Sequence, residues 1–315
     1  MAIIGWILAI FSGILVLSAI ITQLRARAAE KALPAYGKIT KVPGGTIHWT
    51  EAGQGQTIVC IHGLASNHYD FTYGMMKDLA RDHRVIALDR PGCGWSKRDG
   101  ADRAPLTEQA AMIAAFLTAE GIERPVIVGH SLGGAIAVTL GLEHADQVSA
   151  LALICPATQN IDKTPDMFKG LVIPSAFMRG LIAHTIAGPA GALTEHKILG
   201  QVFAPEKVPE DFMTRGGGAL GRRPSAFIAA SEDIMAAHAA AAVLAARHGE
   251  LAVPTGVLFG ADDHALAPDL HGRAFAAAVP GATYAKLAGR GHMIPLTAPA
   301  ECAAFVREVA ARRVG

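Results

Sequence analysis

Apolar positions are spread unevenly along this chain. Residues 2–24, AIIGWILAIFSGILVLSAIITQL, carry no charged side chain. A helix of about 20 such residues spans the hydrocarbon core of a bilayer. Residues 25–37 read as a polar linker that ends near Pro34 and Gly37. Short strand-like runs follow: KITKV (38–42), TIHWTEA (46–52), TIVCI (57–61) and VIAL (85–88). The last two are continuously apolar and β-branched, as in strands buried on both faces. LTEQAAMIAAFLTAEGI (106–122) predicts a helix with Thr107 near its start and Gly121 at its end. VIVG (126–129) is another buried strand, followed by a helix through Leu142, and SALALI (149–154) is a further strand. Strands alternating with helices predict a mostly parallel, doubly wound α/β sheet.

The alternation stops at residue 157. From there to 248 the chain holds scattered prolines, a Gly216-Gly217-Gly218 run and Ala-rich helical stretches. Strand character returns at 254–259 and 282–287, with helices around 268–278 and 299–311. The predicted organisation is therefore a transmembrane anchor (2–24), a linker (25–37), an α/β core (38–156 and 249–315) and a helical cap inserted at 157–248.

Composition narrows this picture. A chain of 315 residues, 51% hydrophobic, can bury a substantial core. A net charge of +1 gives no concentrated basic surface for nucleic acid. Cys60, Cys93, Cys155 and Cys302 are scattered and form no CxxC pair, which predicts reduced buried thiols. Arg25, Arg27 and Lys31 follow the apolar stretch, and no charged side chain precedes it. The positive-inside rule then places a single-pass protein with its folded part in the cytoplasm, the periplasmic side being the alternative. A cleavable secretory signal would have a charged n-region and a shorter apolar stretch.

Chemistry enters at PVIVGHSLGG (125–134), where Ser131 sits between a buried strand and a helix. A G-x-S-x-G turn there strains the backbone of the serine and pushes its hydroxyl outward, while small neighbours avoid clashes. A serine hydroxyl needs a base to take its proton, and the base needs an anion to fix its tautomer. In this fold the order is Ser, then Asp or Glu, then His, each after a late strand. VLFGADDHALAP supplies Asp262 and Asp263, and LAGRGHMIP supplies His292. GGGALG (216–221) matches a dinucleotide motif, but no strand precedes it, so it reads as a flexible loop. His264 and His271 read as solvated or structural side chains.

CIHGLASN (60–67), DRPGCGWS (89–96), GHSLGG (129–134), FGADDHALAP (259–268) and GRGHM (289–293) occur in order. With these motifs the chain resembles the α/β-hydrolase superfamily over roughly 44–313, in its capped esterase and lipase-like branch. The resemblance implies Ser131 as nucleophile, His292 as base and Asp263 as acid, with Asp262 the alternative. It implies an oxyanion hole from the backbone N–H groups of Leu64 and Leu132, and a structural role for His62. It implies a serine hydrolase working through an acyl-enzyme, with no metal or organic cofactor. The cap and the anchor together point to an apolar carboxylic ester as substrate, with some apolar cap residues, which the sequence does not single out, lining an acyl pocket. Two other readings stay open: a C–C bond hydrolase of aromatic ring-cleavage products, and a non-enzymatic membrane-tethered binder.

Overall fold

The computed structural model describes residues 2–160 and 164–312. Residues 161–163 of the cap segment and 313–315 of the core lie outside the described residues. Among the described residues nine strands form one sheet: β1 (Lys38–Val42), β2 (Gly45–Ala52), β3 (Gln56–Ile61), β4 (His83–Leu88), β5 (Lys97–Arg98), β6 (Val126–His130), β7 (Ala150–Ile154), β8 (Thr255–Gly260) and β9 (Thr283–Leu287). Their order is β1-β2-β4-β3-β6-β7-β8-β9, with β5 paired to β2. Every pairing from β4 through β9 along that order is parallel, and only those made by β2 are antiparallel. β6, β7 and β8 are buried along their whole length, as expected of apolar runs with helices on both faces.

The helices are α1 (Ala2–Ala32), α2 (Tyr69–Thr72), α3 (Met75–Leu79), α4 (Leu106–Ala119), α5 (Leu132–Glu143), α6 (Ala176–His184), α7 (Ala187–Phe203), α8 (Pro224–Ala246), α9 (Ala274–Ala278), α10 (Ile294–Thr297) and α11 (Pro299–Ala311). α4 packs on α5 over one face of the sheet, and α3 packs on α11 over the other. α6, α7 and α8 interrupt the alternation between β7 and β8. Parallel strands place their C-terminal ends on one edge, and there the loops after β3, β6, β8 and β9 converge, beneath α8.

The segment 25–37, expected to be a linker, is helical as far as Ala32. Alanine, arginine, lysine and glutamate all favour helix, and nothing stops the chain before Pro34. Ala26, Ala29 and Leu33 are buried, and Ala29 and Leu33 cluster with Tyr69, Ala219 and Leu220. The polar segment is thus a docked continuation of α1. Gly216–Gly218, expected to be flexible, forms a packed turn. Gly217 has φ +74° and its carbonyl accepts from Asn67 Nδ2 at 3.1 Å. A Cβ there would lie 2.4 Å from Asn67 Oδ1, so glycine is required by contact.

Among the described residues two helices, α1 and α8, are long and apolar enough to cross a membrane, a criterion that a signal sequence near an N-terminus also meets. α8 carries the fully buried Asp233, whose carboxylate meets Arg90 at 2.7 Å and Arg98 at 2.5 Å. That places α8 within the fold. The four cysteines are free and buried.

Candidate active site

Ser131 caps the N-terminus of α5 at φ 53° and ψ −120°, a conformation that L-residues rarely adopt. The turn is held by three backbone bonds: Ser131 N–H to Ile154 O, and Gly134 and Ala157 N–H to Ser131 O. The glycines around it are fixed by backbone, not by substrate. A Cβ on Gly133 would fall 2.1 Å from Ile61 O, and one on Gly129 would fall 2.6 Å from Gly133 O. The expected strand-to-helix turn is therefore present, with Ser131 half-buried at its apex.

His292 and Asp263 come together from the loops after β9 and β8. His292 Nδ1 lies 2.6 Å from Asp263 Oδ2. The other carboxylate oxygen, Oδ1, accepts from the Ala265 and Leu266 amides at 2.8 and 2.9 Å. Burial opposes ionisation of Asp263, but His292 and these two amides outweigh it and hold the carboxyl below its usual range. Asp262, the alternative, is exposed, as is His264. His130 Nε2 donates to the His292 backbone carbonyl at 3.1 Å, so the residue before the serine also braces the histidine loop.

The flanking motifs form scaffolding. Asp89 is fully buried and accepts from His48 Nδ1, His68 N, His68 Nδ1 and Trp95 N at 2.8–2.9 Å. Desolvation raises its carboxyl and the two histidines lower it further, leaving it well below the usual range. His62 Nδ1 donates to Gly63 O, and its Nε2 accepts from Arg90 N at 2.9 Å. Burial and the Arg90 charge push His62 down to about 4, so it is neutral and structural, as expected. Arg90 Nη2 donates to Gly63 O at 3.0 Å, which fixes the loop carrying Leu64. Among the described residues two buried groups each bring three ligand-type atoms within 4.8 Å: His48, His68 and Asp89, and Cys155, Asp263 and His292. In both, the carboxylate is already taken by histidine Nδ1.

Ser131 and His292 open onto one cavity holding about 770 Å³ of unfilled space, counting the part open to solvent. Leu64, Leu132, Ala157 and Leu266 line its core side. Phe168 and one stripe of α8, namely Ile234, Ala237, His238 and Ala241, line the cap side. Most of this wall is apolar, as ligand sites usually are. Leu132 is the first residue of α5, so its N–H has no intrahelical acceptor. Among the apolar cap residues Phe168 reaches the cavity, whereas Phe177 and Met178 are exposed on α6. Glu206 was not foreseen. From the cap it accepts from Gly291 N and Thr297 Oγ1, both at 2.7 Å, and so grips the loop of His292. No motif marks it, because its partner lies 85 residues away.

The chain is 32% identical over 140 residues to a pimeloyl-[acyl-carrier protein] methyl ester esterase of Vibrio atlanticus, covering 44% of this chain and 52% of that protein. It is 32% identical over 116 residues to a 2-hydroxy-6-oxo-6-phenylhexa-2,4-dienoate hydrolase of Comamonas testosteroni, covering 35% and 40%. The chain spans between a third and about half of the first curated relatives it matches. A bacterial membrane phospholipase A shares the fold with a TM-score of 0.68 at 22% identity, over 98% of this chain and 97% of that one. The family model for the alpha/beta hydrolase fold matches residues 56–299, and the chain belongs to that family of hydrolases.

Proposed function

We propose that this hydrolase cleaves carboxylic esters with apolar groups, using Ser131 as nucleophile. One observation carries the reading: His292 is held on Asp263 at 2.6 Å and shares an apolar cavity with Ser131 on its strained turn. His292 Nε2 takes the Ser131 proton as Oγ attacks the ester carbonyl. The oxyanion is held by the backbone N–H groups of Leu132 and Leu64, each typically worth about 2.7–4 kcal/mol of barrier. His292 then protonates the leaving alcohol. Water, deprotonated by the same imidazole, attacks the acyl-serine and releases the acid. Asp263 keeps its charge throughout and stabilises the imidazolium. Besides substrate and this water, these steps use only groups of the chain.

The methyl ester esterase among the relatives supports an ester substrate. α1 supports attachment to a membrane, with the positive residues after it favouring a cytoplasmic hydrolase. A second reading, cleavage of a C–C bond in aromatic ring-cleavage products, is favoured by the Comamonas relative. Turnover of p-nitrophenyl esters from acetyl to palmitoyl separates the two. Wild type should hydrolyse a medium or long acyl ester and take a fluorophosphonate label, and Ser131→Ala should do neither. No ester turnover and no label would sink the ester reading. Turnover of a vinylogous ring-cleavage diketone in place of esters would establish the second.

A further inference from the structure

α1 is docked on the cap, not on the sheet. It packs against α6, α7 and the 3-10 turn Gly218–Arg222. The contact has a fixed depth. Thr22 is buried and its Oγ1 donates to Thr185 O at 3.3 Å. A Cβ on Gly188 would lie 2.2 Å from that same Oγ1. The corner between α6 and α7 is thus pinned at the level of Thr22.

That level is close to the end of the uncharged stretch 2–24. Its 23 residues span about 34 Å at about 1.5 Å each, against a hydrocarbon core of about 30 Å. If α1 crosses a bilayer, Thr22 lies at the boundary between hydrocarbon and headgroups, and so does the α6–α7 corner. The charged contacts of α1 begin one turn later, with Arg25 near Glu195 and Glu30 near Arg223.

The outer surface of α6 and α7, the helices that meet at this corner, carries large exposed apolar side chains. Phe177 is 77% exposed and Leu193 87%, and Met178, Leu181 and Ile186 are exposed beside them. Residues 167–194 contain no carboxylate. Their one arginine, Arg179, is buried against Glu232. A face of this kind is costly in water and matches the amphipathic elements that lie in a membrane interface.

We infer that the α6–α7 face of the cap is a second membrane contact, with Phe177, Ile186 and Leu193 seated in the interface beside α1. The inference rests on α1 spanning the bilayer and extends the proposed function by giving the cavity, whose wall includes Phe168 of the same segment, a lipid-facing approach.

The test uses full-length protein in phosphatidylcholine–phosphatidylglycerol vesicles. The native cysteines are all buried, so single introduced thiols can be labelled selectively. An environment-sensitive fluorophore is placed on Phe177→Cys, Leu193→Cys, Gly13→Cys within α1 and the exposed Glu308→Cys on α11. Labels at 177, 193 and 13 should show blue-shifted emission and be quenched by doxyl lipids, and the label at 308 should not. Quenching at 13 alone overturns the cap contact. Quenching at none of the three overturns the span and the inference with it. In parallel, Phe177→Asp/Leu193→Asp should leave soluble-ester turnover unchanged and lower hydrolysis of a bilayer-dissolved long-chain ester roughly tenfold, since two large apolar side chains no longer enter the interface. Equal loss on both substrates would overturn the interfacial role. The quenching reads the contact whether or not any ester is turned over, so failure of the proposed function is seen separately.

Discussion

Replacing Asp263 by asparagine offers the sharpest view of the proposed chemistry. Oδ1 of Asp263 accepts two backbone N–H groups, from Ala265 and Leu266, while Oδ2 faces His292 Nδ1 at 2.6 Å. An asparagine has one acceptor oxygen and one NH2 donor. The two amide donors dictate the rotamer: the oxygen must stay on their side, and the NH2 group must face the imidazole. Nδ1 then has to accept, which forces the ring hydrogen onto Nε2, the atom that must be bare to take the Ser131 proton. Such a tautomer reversal costs about ten-thousand-fold in kcat in a serine triad. At about 1.36 kcal/mol per factor of ten this is about 5.5 kcal/mol of barrier. The fold should barely notice, because the geometry of the carboxylate is preserved. Asp262→Asn is the control, since its side chain is exposed and should change kcat less than about twofold. The assay is steady-state hydrolysis of the best p-nitrophenyl ester, with unfolding temperature measured on the same preparations. If Asp263→Asn keeps a tenth of the activity, or Asp262→Asn is the variant that loses it, the triad reasoning is wrong.

Three further outcomes are expected. Asp233→Leu leaves the buried guanidiniums of Arg90 and Arg98 without their shared carboxylate and should destabilise by about 3–5 kcal/mol, read by urea unfolding in detergent; a loss under about 1 kcal/mol would mean that water or Glu232 replaces it. Stability should fall on acidification: burial, joined for His62 by Arg90, holds His62 and His271 down to about 4, against 6.5 for a free imidazole, so the unfolded chain binds protons that the native one refuses. That contribution is complete above about pH 6.5 and fades as the pH drops toward about 4, so unfolding temperatures that stay flat over this window would contradict the burial of the two rings. Gly217→Ala should cost at least about 1–2 kcal/mol, because φ +74° is unfavourable for alanine and its Cβ would press on Asn67 and Tyr69; an unchanged unfolding temperature would show that the turn relaxes.

Much of this molecule is written locally. The buried strands are continuous apolar runs, and the Ser131 turn is announced by its own glycines and the elements on either side, although bonds to Ile154 and Ala157 help to hold it. The residues alone left Asp262 and Asp263 both open, and only the family resemblance favoured Asp263. Contacts that join distant segments were not legible. Nothing near Glu206 announces that it grips Gly291, and nothing near Asp233 announces two arginine partners, because a buried carboxylate on a helix looks like a solvated one until the fold closes over it. The helix past Leu24 was missed for a related reason: Arg25, Arg27 and Lys31 suggest solvent, yet Ala26, Ala29 and Leu33 between them face the cap. Charge patterning spoke for one side of the helix and packing decided the other.

The crowding around the Ser131 turn bears on how this site can diverge. Gly129, Gly133 and Gly134 are each closed in by backbone or by Pro156, so a larger residue is barred there whatever molecule the cavity receives. The facing wall has no such bar. Ile234, Ala237, His238 and Ala241 are side chains projecting from one stripe of a helix, and each can change size without moving a main-chain atom. Drift toward new substrates should therefore be lopsided, with variation gathering on the roof while the floor stays fixed. Libraries for altered specificity are best confined to that stripe, and intolerance at the glycines will persist even in a chain that has lost its nucleophile.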